Sequence, residues 1–301
     1  MLDNKIKINI HTFETLNKDK ELNIKFFSDI GHNSGFNNDK LDMIVEHIKK
    51  TPTNYVCIGG DIIDSTNHIR ENKENELILL RFLENLAKDY KTIITLGNHD
   101  LFKKTNYGWD SDFCQFFWKN VNNINNVYVS HFNRFYEDEN IIIYYPNLDF
   151  YYYENYKKQE DITKFWDLLI EDKEYLENLN NEKIKIFLFH SPMMLEDPII
   201  LKFIKNFDLV LCGHMHRGLM LPILNELVKN NKGIISPYGE WFPDNARGVK
   251  ILNFNDINIP LIITGGITKI SSSVPLGNII NKIYPMEIED IKLLTKKKKI
   301  D

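Results

Sequence analysis

Short apolar runs alternate with helical patterns from residue 23 onward. Residues 23–27 read as a strand that stops at Ser28-Asp29. Leu41, Ile44, Val45 and Ile48 then recur at i, i+3, i+4 and i+7, which places them on one helix face. Residues 55–58 form a second apolar run, ending at Gly59-Gly60-Asp61. Leu79, Phe82, Leu83 and Leu86 mark a second amphipathic helix, and residues 92–96 run into Gly97-Asn98-His99-Asp100. The pattern predicts β-α-β-α-β. Strands that are apolar on both faces belong in a sheet covered by helices. Each polar cluster follows the C-terminal end of a strand, where open α/β sheets place their ligands.

The same alternation returns later. Residues 186–189 end at His190, and residues 209–212 end at Gly213-His214-Met215-His216, with a helical stretch over 198–204 between them. Residues 248–254, 260–267 and 283–288 read as strands without long helices between them, so a second, more antiparallel sheet is expected there. No fixed-period repeat and no Pro/Ser-rich linker is visible. The reading is one α/β domain over 1–301: two packed mixed sheets flanked by helices, a four-layer α/β/β/α sandwich. Residues 106–182 carry the weakest pattern and are expected to form a pocket-shaping insert. They hold Trp109, Trp118 and Trp166 and a cluster of Tyr144, Tyr145, Tyr151, Tyr152, Tyr153 and Tyr156. These rings suit either core and edge-strand packing or an aromatic wall beside a substrate.

Composition narrows the class. Of 301 residues 43% are hydrophobic and 26% charged, values of an ordinary globular protein rather than a disordered or fibrous one. The net charge of −5 argues against a protein that grips duplex nucleic acid through its phosphates. Cys57, Cys114 and Cys212 are far apart and odd in number, so they are read as reduced thiols in a reducing, cytoplasmic compartment. The first twenty residues lack the apolar core of a secretory signal, and no stretch is long enough to be a transmembrane segment. Residues 292–301, with Lys296 to Lys299, are expected to be a basic, solvated tail.

The chemistry gathers at the strand ends: Asp29, His32, Asp61, Asp64, Asn98, His99, His190, His214 and His216. Five of the nine histidines lie among them. Carboxylate, amide and imidazole together suit Mn, Fe or Zn. More than four such donors suit two divalent metal ions, with one carboxylate bridging them.

Asp29-Ile30-Gly31-His32, Gly60-Asp61-Ile62-Ile63-Asp64, Gly97-Asn98-His99-Asp100, His190 and Gly213-His214-Met215-His216 occur in this order. They resemble the signature blocks of the calcineurin-like metallophosphoesterase superfamily. The resemblance implies that Asp61 bridges two metals, that Asp29 and His216 bind the first, and that Asn98, His190 and His214 bind the second. His99 is implied to face the scissile phosphate, with the Asp64 carboxylate holding it in orientation, and Asp100 to support its loop. A hydroxide bridging the metals is implied to attack phosphorus in line. The first block departs from the usual Asp-x-His by one residue, Gly31. Either this glycine loops out and His32 reaches the first metal, or His32 points elsewhere. Asn33 and Ser34 could line the mouth. Arg247, in a loop-like segment, could hold a substrate phosphate or form a structural ion pair.

The expected activity is that of a dinuclear metal-dependent phosphohydrolase acting on a small phosphorylated substrate, monoester or diester. The alternatives are a binding module on a catalytically weakened scaffold and a nuclease of the same superfamily.

Overall fold

The computed structural model describes residues 6–15, 21–32, 38–150, 153, 166–179, 182–192, 195, 197–220, 231–237, 240–267 and 284–295. Asn33, Ser34, Tyr151, Tyr152, Tyr156 and the lysine run from Lys296 lie outside them.

Two mixed six-stranded sheets stack face to face. The first is built from β1 (Ile6–Thr15), β2 (Leu22–Phe27), β3 (Tyr55–Ile58), β4 (Lys91–Ile94), β7 (Val127–Val129) and β14 (Met286–Thr295), in the order β1-β14-β2-β3-β4-β7. The second contains β8 (Phe135–Glu137), β9 (Ile141–Tyr144), β10 (Ile184–Phe189), β11 (Leu209–Cys212), β12 (Gly248–Phe254) and β13 (Ile257–Ile263), in the order β12-β13-β11-β10-β9-β8. A small hairpin, β5 (Phe102–Thr105) with β6 (Gly108–Ser111), stands apart from both.

The strand sequences explain the layering. Ile24, Phe26, Cys57 and Ile93 face Ile143, Ile186, Leu188 and Leu211 across the gap between the sheets. The alternate residues, Phe27, Val56, Ile58 and Ile94 on one side and Tyr144, Phe187, Phe189 and Val210 on the other, belong to the core shared with the helices. On the first sheet these are α1 (Asp39–Lys49), α3 (Lys73–Ala87) and α4 (Gln115–Asn122); a short α2 (Thr66–Glu71) precedes α3. On the second they are α5 (Lys173–Glu177) and α6 (Pro198–Ile204), the latter capped by Asp197, whose carboxylate accepts from the amides of Ile199 and Ile200. The result is the α/β/β/α sandwich that the apolar strands predict. Among the described residues no helix is long and apolar enough to cross a membrane.

Three expectations change. The C-terminal strands do not form a sheet of their own. The β12–β13 hairpin joins β11, with β13 parallel to it, while β14 crosses to the first sheet and lies antiparallel to β2 and parallel to β1. Burial decides this, because Ile291 and Leu293 complete the layer between the sheets. Consequently residues 292–295 are strand, not tail. The 106–182 stretch is likewise not an insert set on finished sheets: β7 ends the first sheet and β8 and β9 end the second. Its aromatic residues divide. Trp118, Tyr144, Tyr145 and Tyr153 are buried, whereas Trp109 is exposed.

At the end of the sandwich where the parallel strands begin, Asp138 ties the sheets together. Its carboxylate accepts from Tyr55 Oη (2.7 Å), Tyr136 Oη (2.8 Å) and Lys91 Nζ (3.0 Å), and from the amides of Asn140 and Ile141. Burial opposes its charge, but the Asn140 amide, Tyr55, Lys91 and Tyr136 together lower its pKa to about 2. A carboxylate lowered on folding stabilises the protein above its unfolded value near 4 and loses that contribution as pH falls toward 2. Asp138→Asn should therefore cost about 2 kcal/mol at pH 7. Urea melts across the acid range should show the gap between variant and wild type closing below pH ~4.

Candidate metal centre

The loops that follow β2, β3, β4, β10 and β11 meet at one end of the sandwich. The first two run together beyond their strands: Asp29 N donates to Gly60 O, Gly31 N to Asp61 O and His32 N to Ile62 O. Asp29, Asp61, His214 and His216 all have positive φ, between 42° and 69°. Such backbone costs of the order of 1 kcal/mol or more per residue, and clusters of it mark sites where side-chain aim matters more than relaxation.

His190, Asn98, Asp61 and His214 form the centre of the cluster. His190 is fully buried, and its Nδ1 lies 2.6 Å from the Gly59 carbonyl, which fixes the proton on Nδ1. The opposite nitrogen, Nε2, then presents a lone pair. It lies 3.2 Å from Asp61 Oδ2, 3.2 Å from Asn98 Oδ1 and 3.1 Å from His214 Nδ1. These are electron-pair donors facing one another, an arrangement that calls for positive charge. Burial alone would keep His190 neutral, but Asp61 beside Nε2 raises its pKa to about 9, so Nε2 draws a proton into the position that a bound cation would take in its place. Burial also opposes the charge of Asp61, yet His190 and His99 hold it below the usual carboxylate range. Burial and the nearby His190 together keep His214 neutral. The donor set fits a divalent cation.

A second group adjoins the first. Asp29 Oδ1 lies 3.7 Å from His216 Nε2, while Asp29 Oδ2 accepts from the His214 amide (3.0 Å) and from Ser28 Oγ. Close backbone approach is obligatory here. A Cβ on Gly97 would collide with Asp61 Oδ1, and one on Gly213 with Ser28 Oγ.

His99 stands at the rim. Its amide donates to Asp61 Oδ1 (2.8 Å), and its Nδ1 donates to the main-chain carbonyl of Asp64 (2.7 Å). The Asp64 carboxylate is 4.0 Å away and half exposed. The orienting group is thus the Asp64 peptide oxygen rather than its side chain, because the backbone after β3 already places that carbonyl against the ring. Nε2 of His99 faces the cluster, 4.0 Å from Asp61 Oδ2.

Two expected residues are not brought into this cup. His32 Nδ1 lies 2.9 Å from His68 Nε2, and its Nε2 lies 3.0 Å from Asn38 Oδ1. Its backbone bridges Ile63, so the continued pairing carries its ring past the cluster toward α2. Arg247 Nε donates to the Lys232 carbonyl, and its side chain lines a separate cavity beside β1 and β14.

Two residues that the motifs do not weigh fully hold the cup together. Asp100, fully buried, accepts the amides of Asp61, Ile62, Ile63 and Gly97, so one carboxylate locks the loops after β3 and β4 to each other. Arg217, next to His216, pairs with Glu287 of β14 and stacks 4.1 Å from the centroid of Tyr284. The signal for Arg217 was its position beside the Gly213–His216 motif; its partner, 70 residues away, was not readable.

The profile of the calcineurin-like phosphoesterase family matches residues 22–218, nearly two-thirds of the sequence and every loop of the cup. The chain belongs to that family. A calcineurin-like phosphoesterase of this length spans about half the length of the curated relatives it matches. One is an uncharacterized metallophosphoesterase of Helicobacter pylori, 28% identical over 204 residues, covering 68% of this chain and 47% of the relative. Another is an uncharacterized metallophosphoesterase of Campylobacter jejuni, 25% identical over 230 residues, covering 74% and 51%. Among solved structures, a phosphopantetheinyl hydrolase from Mycobacterium tuberculosis is similar, with a TM-score of 0.43 and 12% identity over 82% of this chain and 90% of that one.

Proposed function

We propose that the protein hydrolyses a small phosphorylated compound, monoester or diester, at a pair of divalent cations. The observation that carries this reading is His190 Nε2 with its three electron-pair donors at 3.1–3.2 Å. Asn98, His190 and His214 would hold one cation, Asp29 and His216 the other, and Asp61 would be shared between them. The mixture of imidazole, carboxylate and amide suits Mn, Fe or Zn. When bound, such ions polarise phosphoryl oxygens and make a water acidic enough to deprotonate near neutral pH.

The chain supplies the remaining functions. The Gly59 carbonyl sets the His190 tautomer, so its lone pair points into the cup. The Asp64 carbonyl occupies His99 Nδ1, so any proton His99 exchanges with a leaving oxygen passes through Nε2. The cleft above the cluster has a volume of ~350 Å³, which is at the small end of ligand sites and suits a small substrate.

Protein stripped with chelator and reloaded with Mn²⁺ should hydrolyse p-nitrophenyl phosphate or its bis-ester well above the rate of free Mn²⁺. Failure to turn over either ester with two equivalents of metal bound would overturn the proposal.

A further inference from the structure

The cleft has two unlike sides. One is the cluster of Asp61, Asn98, His214 and His216; the other is a wall of rings made by Phe102, Trp109, Phe150 and Tyr153. His99 stands where they join. Its ring centroid is 4.7 Å from that of Phe102 and 6.2 Å from that of Trp109. Phe102 and Trp109 are in turn 4.2 Å apart. Phe102 is buried, but Trp109 is 43% exposed at the edge of the cleft.

The hairpin carrying these two rings is well anchored. Asp112, just beyond β6, donates its amide to the Leu101 carbonyl, and its carboxylate pairs with Arg70 of α2. The Lys104 amide donates to Asn67 of the same helix (2.6 Å). The indole is therefore held over the cleft by contacts that do not involve the metal ligands.

His99 Nε2 marks the side on which the leaving oxygen departs, a point that rests on the function proposed above. Whatever carbon skeleton is attached to that oxygen must then lie against Phe102 and Trp109. Lys104 Nζ lies 5.3 Å from the indole centroid, and the rest of the ring is open at the cleft edge. A small aliphatic alcohol would leave that open part in water, whereas a planar heterocycle would cover it and displace the flexible lysine. We propose that Trp109, backed by Phe102, is the stacking surface for the leaving group, and that the substrate is a nucleotide whose nucleoside is the departing alcohol. Stacking of a base on an aromatic side chain contributes enough to change affinity about tenfold or more.

Two measurements test this. In Mn²⁺-loaded protein, the ratio of kcat/KM for AMP to that for glycerol phosphate should fall about tenfold in Trp109→Ala, mainly through a higher KM for AMP, and Trp109→Phe should restore most of it. In parallel, AMP should quench tryptophan fluorescence of the wild type where inorganic phosphate does not, and the quenching should vanish in Trp109→Phe. This second readout needs no turnover. Quenching by AMP without hydrolysis of any ester would overturn the hydrolase reading and leave the stacking surface standing. Equal losses on the two esters, or no fluorescence difference between AMP and phosphate, would overturn the stacking surface, whatever the activity.

Discussion

His99→Ala should lower kcat by about 10²–10⁴-fold while leaving the bound metal unchanged. The geometry separates these effects. The hydrogen bond from His99 to the cluster is made by its backbone amide, which donates to Asp61 Oδ1 and survives the substitution. What is removed is the ring whose Nε2 faces the cup. Metal content by elemental analysis should match the wild type, and the loss should appear in kcat more than in KM, as expected for a group that acts on the leaving oxygen rather than in binding. Asp64→Asn is the companion measurement. Since the main-chain carbonyl of Asp64 holds His99 Nδ1, kcat should stay near wild type. A loss as deep as that of His99→Ala would show that the carboxylate, 4.0 Å away, does the orienting after all.

Asp61→Asn should lose metal and activity together. The carboxylate lies against His190 Nε2 and, through its other oxygen, the His99 amide. Asparagine can keep the amide contact through Oδ1, so the variant should fold. Its NH₂ group would then face His190 Nε2 and block the direction in which the wild type offers an oxygen. A cation bound only by the native state, present at 100 times its Kd, adds ~2.7 kcal/mol of stability per site. For 301 residues that corresponds to a rise in Tm of about 4 °C per site. Calorimetry with and without Mn²⁺ should show such a rise for the wild type and none for Asp61→Asn. An equal rise in both would remove Asp61 from the ligand set.

The strands that surround the cup were the readable part of the sequence. Tyr55–Ile58, Leu209–Cys212 and the helix Pro198–Ile204 end where the apolar runs end, because a parallel strand buried on both faces leaves no ambiguity of period. The loops that converge are those whose polar residues directly follow such strands. Side-chain direction was less readable. In the first block, continued pairing of His32 with Ile63 sends the ring to His68 on α2, a partner that no local pattern announces. Asp64 acts through a peptide oxygen, which every residue possesses, so its type carried no information. The edge strand β1 has the Ile6-Ile8-Ile10 alternation of a strand, but its partner is 280 residues away. The crossing of β14 into the first sheet was hidden for the same reason.

That crossing has a consequence for how the molecule is made. β14 fills the position between β1 and β2, and the chain from β7 to β14 includes the entire second sheet. On a ribosome, β2 through β7 can assemble while the edge of β2 still lacks its neighbour. At ordinary elongation speeds that edge stays bare for roughly 10–30 s. Glu287, the partner of Arg217 beside His216, arrives only with the same strand. His190, His214 and His216 of the second sheet, and then Glu287, are thus made after the Asp29 and Asp61 loops, which emerge before the cup they belong to is assembled.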